Sequence, residues 1–401
     1  MTTKHQHYIP RMAEKSIDRA SRFYPIISVM GPRQAGKTQM IIQHFSDFKY
    51  FDFESPHTRK KVLEDPEKFV RDHIEGAIFD EFHFVPHITE VLKVVADELV
   101  RKSLLTTRFV LTSSHNYLHA DEGITETMVG RASLIELLSM TSAELDVDDP
   151  YAMMYKGGYP VIHTKEENPQ EYFRNYLRFY LEREVRMVHN IEDWKKFLLF
   201  MKMCANRVGN LISYETIQSR LGLSRKKIDH WLNILEISYI IFMAPEYDNN
   251  FEKTLTSHPK LYFYDTGLAS FLLGIHSQDV AKNHDMRGAL FENLVISDVR
   301  KTIMAANKTL EPSFWLSPAH KGNPGYEVDL ILASGLNMKA IEIKIADTFD
   351  PHWFGNLNRL DAEKSKVFHE YERYVIYTGP TMDVPGGKAL NFKDVGMLLE
   401  Y

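Results

Sequence analysis

The chain has 401 residues and a formal net charge of −6, with 44% apolar and 25% charged residues. These values are ordinary for a soluble globular protein of about two to four domains, and they exclude a globally basic surface for nucleic acid. The single cysteine, Cys204, excludes an intramolecular disulfide, which suits a reducing compartment and a buried thiol. No apolar run approaches the ~20 residues that span a bilayer. We therefore expect a cytoplasmic protein with no membrane partner.

The strongest motif follows a predicted strand near the amino end of the chain. The run after Ile26–Met30 reads Gly31-Pro32-Arg33-Gln34-Ala35-Gly36-Lys37-Thr38-Gln39, and it has the G-x-x-x-x-G-K-[ST] spacing of a phosphate-binding loop. The glycines let backbone N–H groups turn toward phosphate oxygens, and a helix starting near Lys37 points its positive dipole end at them. We expect this segment to bind ATP, with Lys37 on the β- and γ-phosphates and Thr38 on Mg²⁺.

A pair of acids, Asp80 and Glu81, ends the next short apolar strand. In a P-loop ATPase such an aspartate holds Mg²⁺ and the following glutamate polarises the attacking water. The pair therefore favours ATP hydrolysis over nucleotide binding without turnover. A further strand over 107–118 ends in polar residues that could sense the γ-phosphate or form only a turn: Thr112, Ser113, Ser114 and Asn116.

Arg131 precedes another predicted strand. It is a candidate arginine finger for its own nucleotide or for that of a neighbouring chain, and a surface arginine is the alternative. The strands over 25–140 are separated by helical stretches, which predicts a parallel sheet covered on both faces by helices. Such a sheet binds the nucleotide at the carboxyl ends of its strands.

The middle of the chain is predicted to be helical over 150–200 and then to change pattern over 210–247. There it reads as a helix, a tight turn at Gly222, a second helix capped by Ser224 and a β-hairpin, which is typical of a winged helix-turn-helix. The second helix opens with Arg225, Lys226 and Lys227. These residues could contact DNA phosphates, and packing against another domain is the alternative.

Residues 326–344, "YEVDLILASGLNMKAIEIK", read as a β-hairpin with its turn at Gly335-Leu336. That register places Asp329 opposite Glu342 and puts Lys344 on the same face. Two opposed carboxylates favour a divalent cation such as Mg²⁺ or Mn²⁺, and Lys344 could position water or stabilise a phosphate. The alternative is a solvated face of mixed charge.

Together these segments resemble a known family, the prokaryotic AAA+-type "GPRQ" ATPases. The resemblance rests on "GPRQAGKTQM", "IFDEFHFVP", "VGRASLIELL", "KGGYPVI", "YLEREV", "KLYFYDTGLASFLLG", "GALFENLVISDVRK" and "EVDLIL…AIEIK". It implies a winged helix and a C-terminal PD-(D/E)XK nuclease-like domain, in which Glu292 would join Asp329 and Glu342 as a third metal ligand. His83 and Ser113 depart from the family's usual residues.

The sequence thus predicts an α/β protein with four parts. They are a P-loop ATPase core over 1–145, a helical lid over 146–205, a winged helix-turn-helix over 206–255 and a nuclease-like domain over 256–401. One hypothesis is an ATPase whose nucleotide state controls nucleic-acid binding or Mg²⁺-dependent cleavage, by Asp329, Glu342 and Lys344. The competing hypothesis is an ATP-gated scaffold with a catalytically silent C-terminal fold that holds a partner. A homo-oligomer in which Arg131 completes a neighbour's nucleotide site is a third.

Overall fold

A computed structural model describes residues 8–114, 128–185, 191–247, 259–317, 325–364 and 370–399. The described residues fall into two compact units. The first consists of the chain up to Met140 together with Ile237–Tyr239 and Met304–Lys308, and the second comprises the remainder. Among the described helices, none is both long and apolar enough to cross a membrane.

The first unit alternates strands and helices in the way the sequence predicts. Its elements are α1 (Glu14–Ala20), β1 (Ile26–Met30), α2 (Lys37–His44), β2 (Lys49–Asp52), α3 (Pro56–Glu64), α4 (Pro66–Arg71), β3 (Ala77–Asp80), α5 (Ile88–Arg101), β4 (Phe109–Ser113) and β5 (Ala132–Glu136), with a 3₁₀ turn at Phe82–Phe84.

These five strands form one parallel sheet in the order β2-β3-β4-β1-β5. Strands β1, β3 and β4 are buried along their whole length, as expected for parallel strands covered on both faces. One apolar cluster packs Phe79 against α5, and the other packs Val29 against α1 and α2. The predicted parallel sheet with helices on both faces is confirmed.

Gly31 lies where the chain leaves β1 and passes the end of β5. Its φ is +150°, and a Cβ at this position would lie 1.9 Å from the carbonyl oxygen of Leu137. We expect Gly31→Ala to lower the free energy of unfolding by about 3 kcal/mol, because it combines backbone strain with a clash against main chain. Gly130→Ala is the matched control, since Gly130 also has a positive φ of +76° but has open space around it. Equal losses in the two variants, measured by urea unfolding, would contradict the role of the close approach.

The second unit is larger and mixes helices with two sheets. Its elements are α6 (Ser142–Leu145), α7 (Pro150–Lys156), α8 (Pro160–Thr164), α9 (Pro169–Asn175), a π-helical segment (Tyr176–Val185), α10 (Trp194–Ala205), α11 (Tyr214–Leu221), α12 (Arg225–Ile237), β6 (Ile241–Ala244), β7 (Lys260–Phe263), α13 (Thr266–Leu272), α14 (Gln278–Asn283), α15 (Arg287–Ala305), β8 (Ser313–Leu316), β9 (Glu327–Ser334), β10 (Asn337–Ile343), α16 (Gly355–Lys364), β11 (Glu370–Tyr377), β12 (Met382–Val384) and β13 (Gly387–Asn391), with 3₁₀ segments at Pro351–Phe354 and Phe392–Leu399.

Helices α11 and α12 are joined by the predicted tight turn. Gly222 ends α11 in the left-handed region, and the backbone N–H of Lys227 donates to Ser224 Oγ at 3.3 Å, so the predicted cap is confirmed. Strand β6 pairs in antiparallel fashion with β7. Because β7 lies at Lys260–Phe263, the partner of β6 falls beyond the 210–247 segment in which the sequence predicts the hairpin. Cys204, on α10, is buried and its pKa is raised by burial, as expected of an apolar thiol.

The larger sheet has six strands in the order β12-β13-β11-β10-β9-β8. Strands β8, β9 and β10 form an antiparallel meander, and β11 pairs in parallel with both β10 and β13. The predicted hairpin register is confirmed, because Ser334 pairs with Asn337 and Leu330 with Ile341 around Gly335. Helix α15 is tied to β7 by Asn293, whose side chain bonds both the N–H and the carbonyl of Phe263.

Candidate functional site

The loop between β1 and α2 closes around its own lysine. Gln34 and Gly36 both have positive φ values, and such a turn directs successive backbone N–H groups inward as a nest for an anion. Lys37 begins α2 and is buried, with its Nζ donating to the carbonyls of Gly31 and Pro32 at 2.8 and 3.0 Å. Burial lowers the pKa of Lys37, and the negative charges of Glu81 and Asp80 oppose that shift. The ammonium group is thus held at the centre of the predicted phosphate site.

The remaining loop residues differ in exposure. Ala35 is buried, Arg33 is half-buried and bonds Glu54, and Gln34 and Gln39 are exposed. A buried arginine, Arg11, fixes this loop by donating to the carbonyls of Ala35 and Leu138, both at 2.7 Å. Sequence reasoning missed Arg11, because an isolated arginine far from the motif carries no local signal.

Thr38 and Asp80 are brought together as the sequence predicts. Thr38 Oγ1 donates to the two Asp80 carboxylate oxygens at 3.1 and 3.0 Å. Tyr50 and Thr112 also donate to Asp80, the tyrosine at 2.7 Å. All of these groups are oxygen donors, which Mg²⁺ prefers. Thr38 and Asp80 therefore fit the magnesium ion that a phosphate-binding loop implies.

Glu81 adjoins Asp80 but is held to the end of β4. Its carboxylate accepts hydrogen bonds from the backbone N–H and Oγ of Ser114 at 2.8 and 2.9 Å. Burial works to raise the pKa of Glu81, but hydrogen bonding to His83 and the charge of Lys37 outweigh it and hold that pKa at about 2. The carboxylate is therefore ionised at neutral pH, as a water-polarising group must be.

The two residues that depart from the family pattern lie beside this carboxylate. His83 Nδ1 is 3.1 Å from Glu81 Oε2 and 3.5 Å from Ser113 Oγ. The predicted sensor residues Ser113 and Ser114 thus lie at the acidic pair, whereas Asn116 is outside the described residues. His83 therefore lies between the Glu81 carboxylate and the Ser113 hydroxyl.

Arg131 lies far from the phosphate loop of its own chain. It precedes β5, whose first residue pairs with Ile26 at the amino end of β1. The phosphate loop follows the opposite, carboxyl end of β1, about 16 Å away along five strand residues. Arg131 instead binds Asp97 of α5, with Nε 2.6 Å from Oδ1. Strand polarity therefore argues against a finger acting on its own chain, one of the alternatives that the sequence leaves open, and a finger acting on a neighbour is untested.

In the second unit, the predicted hairpin residues meet around one lysine. Lys344 Nζ lies 2.6 Å from Glu342 Oε1 and 3.5 Å from Asp329 Oδ2. The same Asp329 oxygen accepts the backbone N–H of Ile343 at 2.7 Å. Glu342 is buried. The structure therefore brings Asp329, Glu342 and Lys344 together, with the lysine bridging the two acids.

A second lysine, Lys260 on β7, enters the same region and was missed by sequence reasoning. Its Nζ lies 3.2 Å from Glu292 Oε1 and also bonds Glu327. Burial works to lower the pKa of Lys260, but the Glu292 and Glu327 carboxylates outweigh it and raise that pKa, which preserves the ammonium form. Tyr262, two residues along the strand, donates to Glu292 at 2.6 Å. We call Glu292, Glu327, Asp329, Glu342, Lys260 and Lys344 the charge cluster.

The expected three-carboxylate metal site is not assembled in this geometry. Among the residues that the structure describes, no group of three or more His, Cys, Asp or Glu side chains is arranged to hold a metal ion. Glu292 Oε1 is engaged by Lys260 and Tyr262, and Asp329 Oδ2 by the Ile343 N–H. Glu342 Oε2 is buried without a hydrogen-bond partner among the described residues. The carboxylates of Glu292, Asp329 and Glu342 thus do not converge on one ion.

The charge cluster gives folding stability a specific pH dependence. Burial and the neighbouring Asp329 raise the pKa of Glu342 above its ordinary value, so the folded state holds this proton more tightly than the unfolded chain does. That contribution is fully present below the unfolded pKa of about 4.3 and is lost as pH rises through the folded pKa. Glutamine at position 342 does not ionise, so Glu342→Gln should not lose stability as the pH rises. In wild type that loss is about 1.4 kcal/mol for each unit by which the folded pKa exceeds the unfolded pKa.

We therefore expect the melting temperature of Glu342→Gln, relative to wild type, to increase between pH 5 and pH 9. Glu370→Gln provides the control, because Glu370 is an exposed acid on the neighbouring strand β11. A difference between Glu342→Gln and wild type that stays constant with pH would contradict the burial of an ionisable carboxyl group here.

The three basic residues of α12 are exposed at its first turn. The Arg225 guanidinium lies 4.5 Å from the ring centre of Tyr214, and Lys227 Nζ lies 4.0 Å from Glu192 Oε2. Lys226 is exposed. They form a local basic surface on an acidic chain, as the sequence predicts.

The parallel sheet, the loop after β1 and the Asp80–Glu81 pair resemble the core of a P-loop ATPase. Residues 24–145 match the family model described as "AAA domain". Two further models, both described as domains of unknown function, match later segments: DUF8612 over 148–279 and DUF4143 over 287–392.

Curated relatives and solved structures also resemble the chain. Uncharacterized proteins of Mycobacterium bovis and Mycobacterium tuberculosis are each 25% identical over 294 residues, which is 72% of this chain. The chain spans 65% of the length of both relatives. Among solved structures, the Walker-type ATPase of Pyrococcus abyssi is 14% identical, with a TM-score of 0.42, over 67% of this chain and 97% of that chain. AMPPCP-bound DnaA of Aquifex aeolicus is 11% identical, with a TM-score of 0.29, over 56% and 85%.

Proposed function

We propose that this protein binds ATP with Mg²⁺, hydrolyses it, and uses the nucleotide state to control a nucleic-acid-binding C-terminal domain. The observation that carries the ATPase part is the meeting of Lys37, Thr38, Asp80 and Glu81 at the carboxyl ends of β1 and β3. Phosphate release from Mg-ATP by the full chain tests it. Asp80→Asn is expected to abolish that release.

Each residue has a distinct role in this proposal. Lys37 exchanges the loop carbonyls for the β- and γ-phosphate oxygens, while Gly31 through Gln39 wrap the phosphates. Thr38 and Asp80 would hold Mg²⁺, which supplies charge neutralisation at the phosphates. Glu81 orients the attacking water and accepts its proton, which requires its carboxylate to leave Ser114. Arg131 is proposed to act only on a neighbouring chain's nucleotide, and sizing with and without ATP tests that assembly.

For the remaining chain we propose the division given by the sequence: a helical lid over 146–205, a winged helix-turn-helix over 206–255 and a nuclease-like domain over 256–401. The exposed Arg225, Lys226 and Lys227 support a nucleic-acid contact by α12. Such contacts would be to phosphates, because positive charge on an otherwise acidic chain carries no base-specific information.

Replacing Arg225, Lys226 and Lys227 together by glutamine is expected to weaken binding of duplex DNA. The slope of log K against log salt concentration should flatten by about 0.9 for each phosphate that the variant no longer neutralises. Fluorescence anisotropy of a labelled duplex between 50 and 200 mM salt, a range typical for such measurements, gives both quantities.

A charge-matched control removes three exposed lysines elsewhere in the second unit: Lys165, Lys202 and Lys282. This control should retain the wild-type slope. If both triple variants lose the same affinity, binding depends on net charge and α12 is not the contact surface.

Metal-dependent cleavage is a second candidate function, favoured by the meeting of Asp329, Glu342 and Lys344. The competing view is a silent domain that grips a partner without cutting. A nuclease assay with Mg²⁺ or Mn²⁺, with and without ATP, on wild type and Asp329→Ala separates them. Cleavage that is lost in the variant would establish the nuclease, and its absence in wild type would favour the silent domain.

A further inference from the structure

The charge cluster carries its own cations. Four carboxylates, from Glu292, Glu327, Asp329 and Glu342, surround two ammonium groups. Lys344 forms ion pairs with Asp329 and Glu342. Lys260 forms ion pairs with Glu292 and Glu327. Carboxylates that lie this close together need a positive charge between them, and here the chain supplies one to each pair of acids.

Lys260 is fixed rather than loosely placed. Its side chain projects from strand β7, is 4% exposed, and has its Nζ 5.2 Å from the ring centre of Phe314. A Cβ added at Gly209 would lie 3.3 Å from Glu292 Oε1, so the backbone before α11 covers that carboxylate. Lys260 therefore has a fixed position in the cluster, because its backbone belongs to strand β7 and its ammonium group pairs with two carboxylates.

We propose that Lys260 is a tethered counter-cation that replaces a divalent metal ion in the charge cluster, so that the wild-type cluster binds no Mg²⁺ or Mn²⁺. An entering divalent ion would have to expel an ammonium group from between Glu292 and Glu327. The expelled lysine would remain buried and unpaired, which is strongly unfavourable. A cluster whose four acids are all paired with its own lysines favours, of the two proposed C-terminal functions, a binding domain that does not cut by a metal mechanism. This role of Lys260 does not depend on ATP turnover.

Titration with Mn²⁺ tests the proposal, with the electron paramagnetic resonance signal of free Mn²⁺ as the readout. All chains carry Asp80→Asn, which removes the charged one of the two proposed metal ligands, Thr38 and Asp80, at the nucleotide site. The parent should show no saturable Mn²⁺ binding. Adding Lys260→Met should create one Mn²⁺ site. Its affinity should be at least about tenfold tighter than any Mn²⁺ binding by the parent, a difference in binding free energy of about 1.4 kcal/mol.

Lys339→Met is the matched control. Lys339 is equally buried in the second unit, but its Nζ donates to the carbonyl of Leu398, outside the charge cluster. This variant should behave as the parent does. Gain of a site in Lys339→Met as well, or no gain in a folded Lys260→Met, would overturn the role of Lys260.

Two further variants keep the test decisive. Saturable Mn²⁺ binding by the parent that disappears on adding Asp329→Asn would overturn the proposal even if Lys260→Met fails to fold. Lys260→Arg retains the charge and should remain unable to bind Mn²⁺; binding by this variant would also count against a counter-cation. Failure of the wild-type chain to hydrolyse ATP would refute the proposed ATPase and leave these outcomes unaffected.

Discussion

Lys37→Ala is expected to reduce ATP turnover by about 100- to 1000-fold, the usual effect of removing one preorganised charge from a transition state. The loop residues Gly31 and Pro32 hold the Lys37 ammonium group through their carbonyls, in a position from which it can transfer to phosphate oxygens. Alanine leaves those carbonyls without their donor and leaves the developing phosphate charge uncompensated. Steady-state phosphate release from Mg-ATP measures the effect.

Lys61→Ala provides the control for loss of a lysine from the same unit, because Lys61 is exposed on α3. It should hydrolyse ATP at the wild-type rate. Turnover by Lys37→Ala within a few-fold of wild type would contradict the assignment of this loop as the phosphate site.

Glu81→Gln is expected to lower turnover by about 100- to 10,000-fold while retaining ATP binding, the range expected for a lost general base. The wild-type carboxylate is ionised because its pKa is held at about 2, and glutamine removes the charge while keeping the size of the side chain. Its amide oxygen can still accept from Ser114, so the fold of this region should survive. Equilibrium binding of a fluorescent ATP analogue, alongside phosphate release, separates the two effects.

Glu75→Gln is the matched control, since Glu75 is exposed in the same unit and touches only Arg108 among its described contacts. It should preserve both binding and turnover. Loss of ATP binding in Glu81→Gln would show that Glu81 holds nucleotide rather than acting on water.

The nucleotide site was predictable because its residues lie in short sequence motifs with fixed spacing and order. The spacing of Gly31, Gly36, Lys37 and Thr38 fixes a loop, and an apolar strand ending in Asp80 must lie nearby in a parallel sheet. The hairpin register was equally predictable. A turn at Gly335 determines every later pair by counting, and Leu330 does pair with Ile341.

Contacts between distant elements were not predictable in this way. Lys260 reaches Glu327 across 67 residues of sequence, and no periodicity links a strand lysine to acids on α15 and β9. Arg11 is as remote from the loop it fixes. The alternatives left open for Arg131 could have been narrowed by strand polarity, because a residue before a parallel strand lies at the edge opposite the phosphate loop.

The proposed control of the C-terminal domain by the nucleotide state can be measured directly. The affinity of Glu81→Gln for a labelled DNA duplex is measured at constant salt in saturating Mg-ATP and again in Mg-ADP. We expect the DNA affinity in Mg-ATP and that in Mg-ADP to differ at least about tenfold, which corresponds to a coupling free energy of about 1.4 kcal/mol. Equal affinities in the two nucleotides would contradict the proposed control.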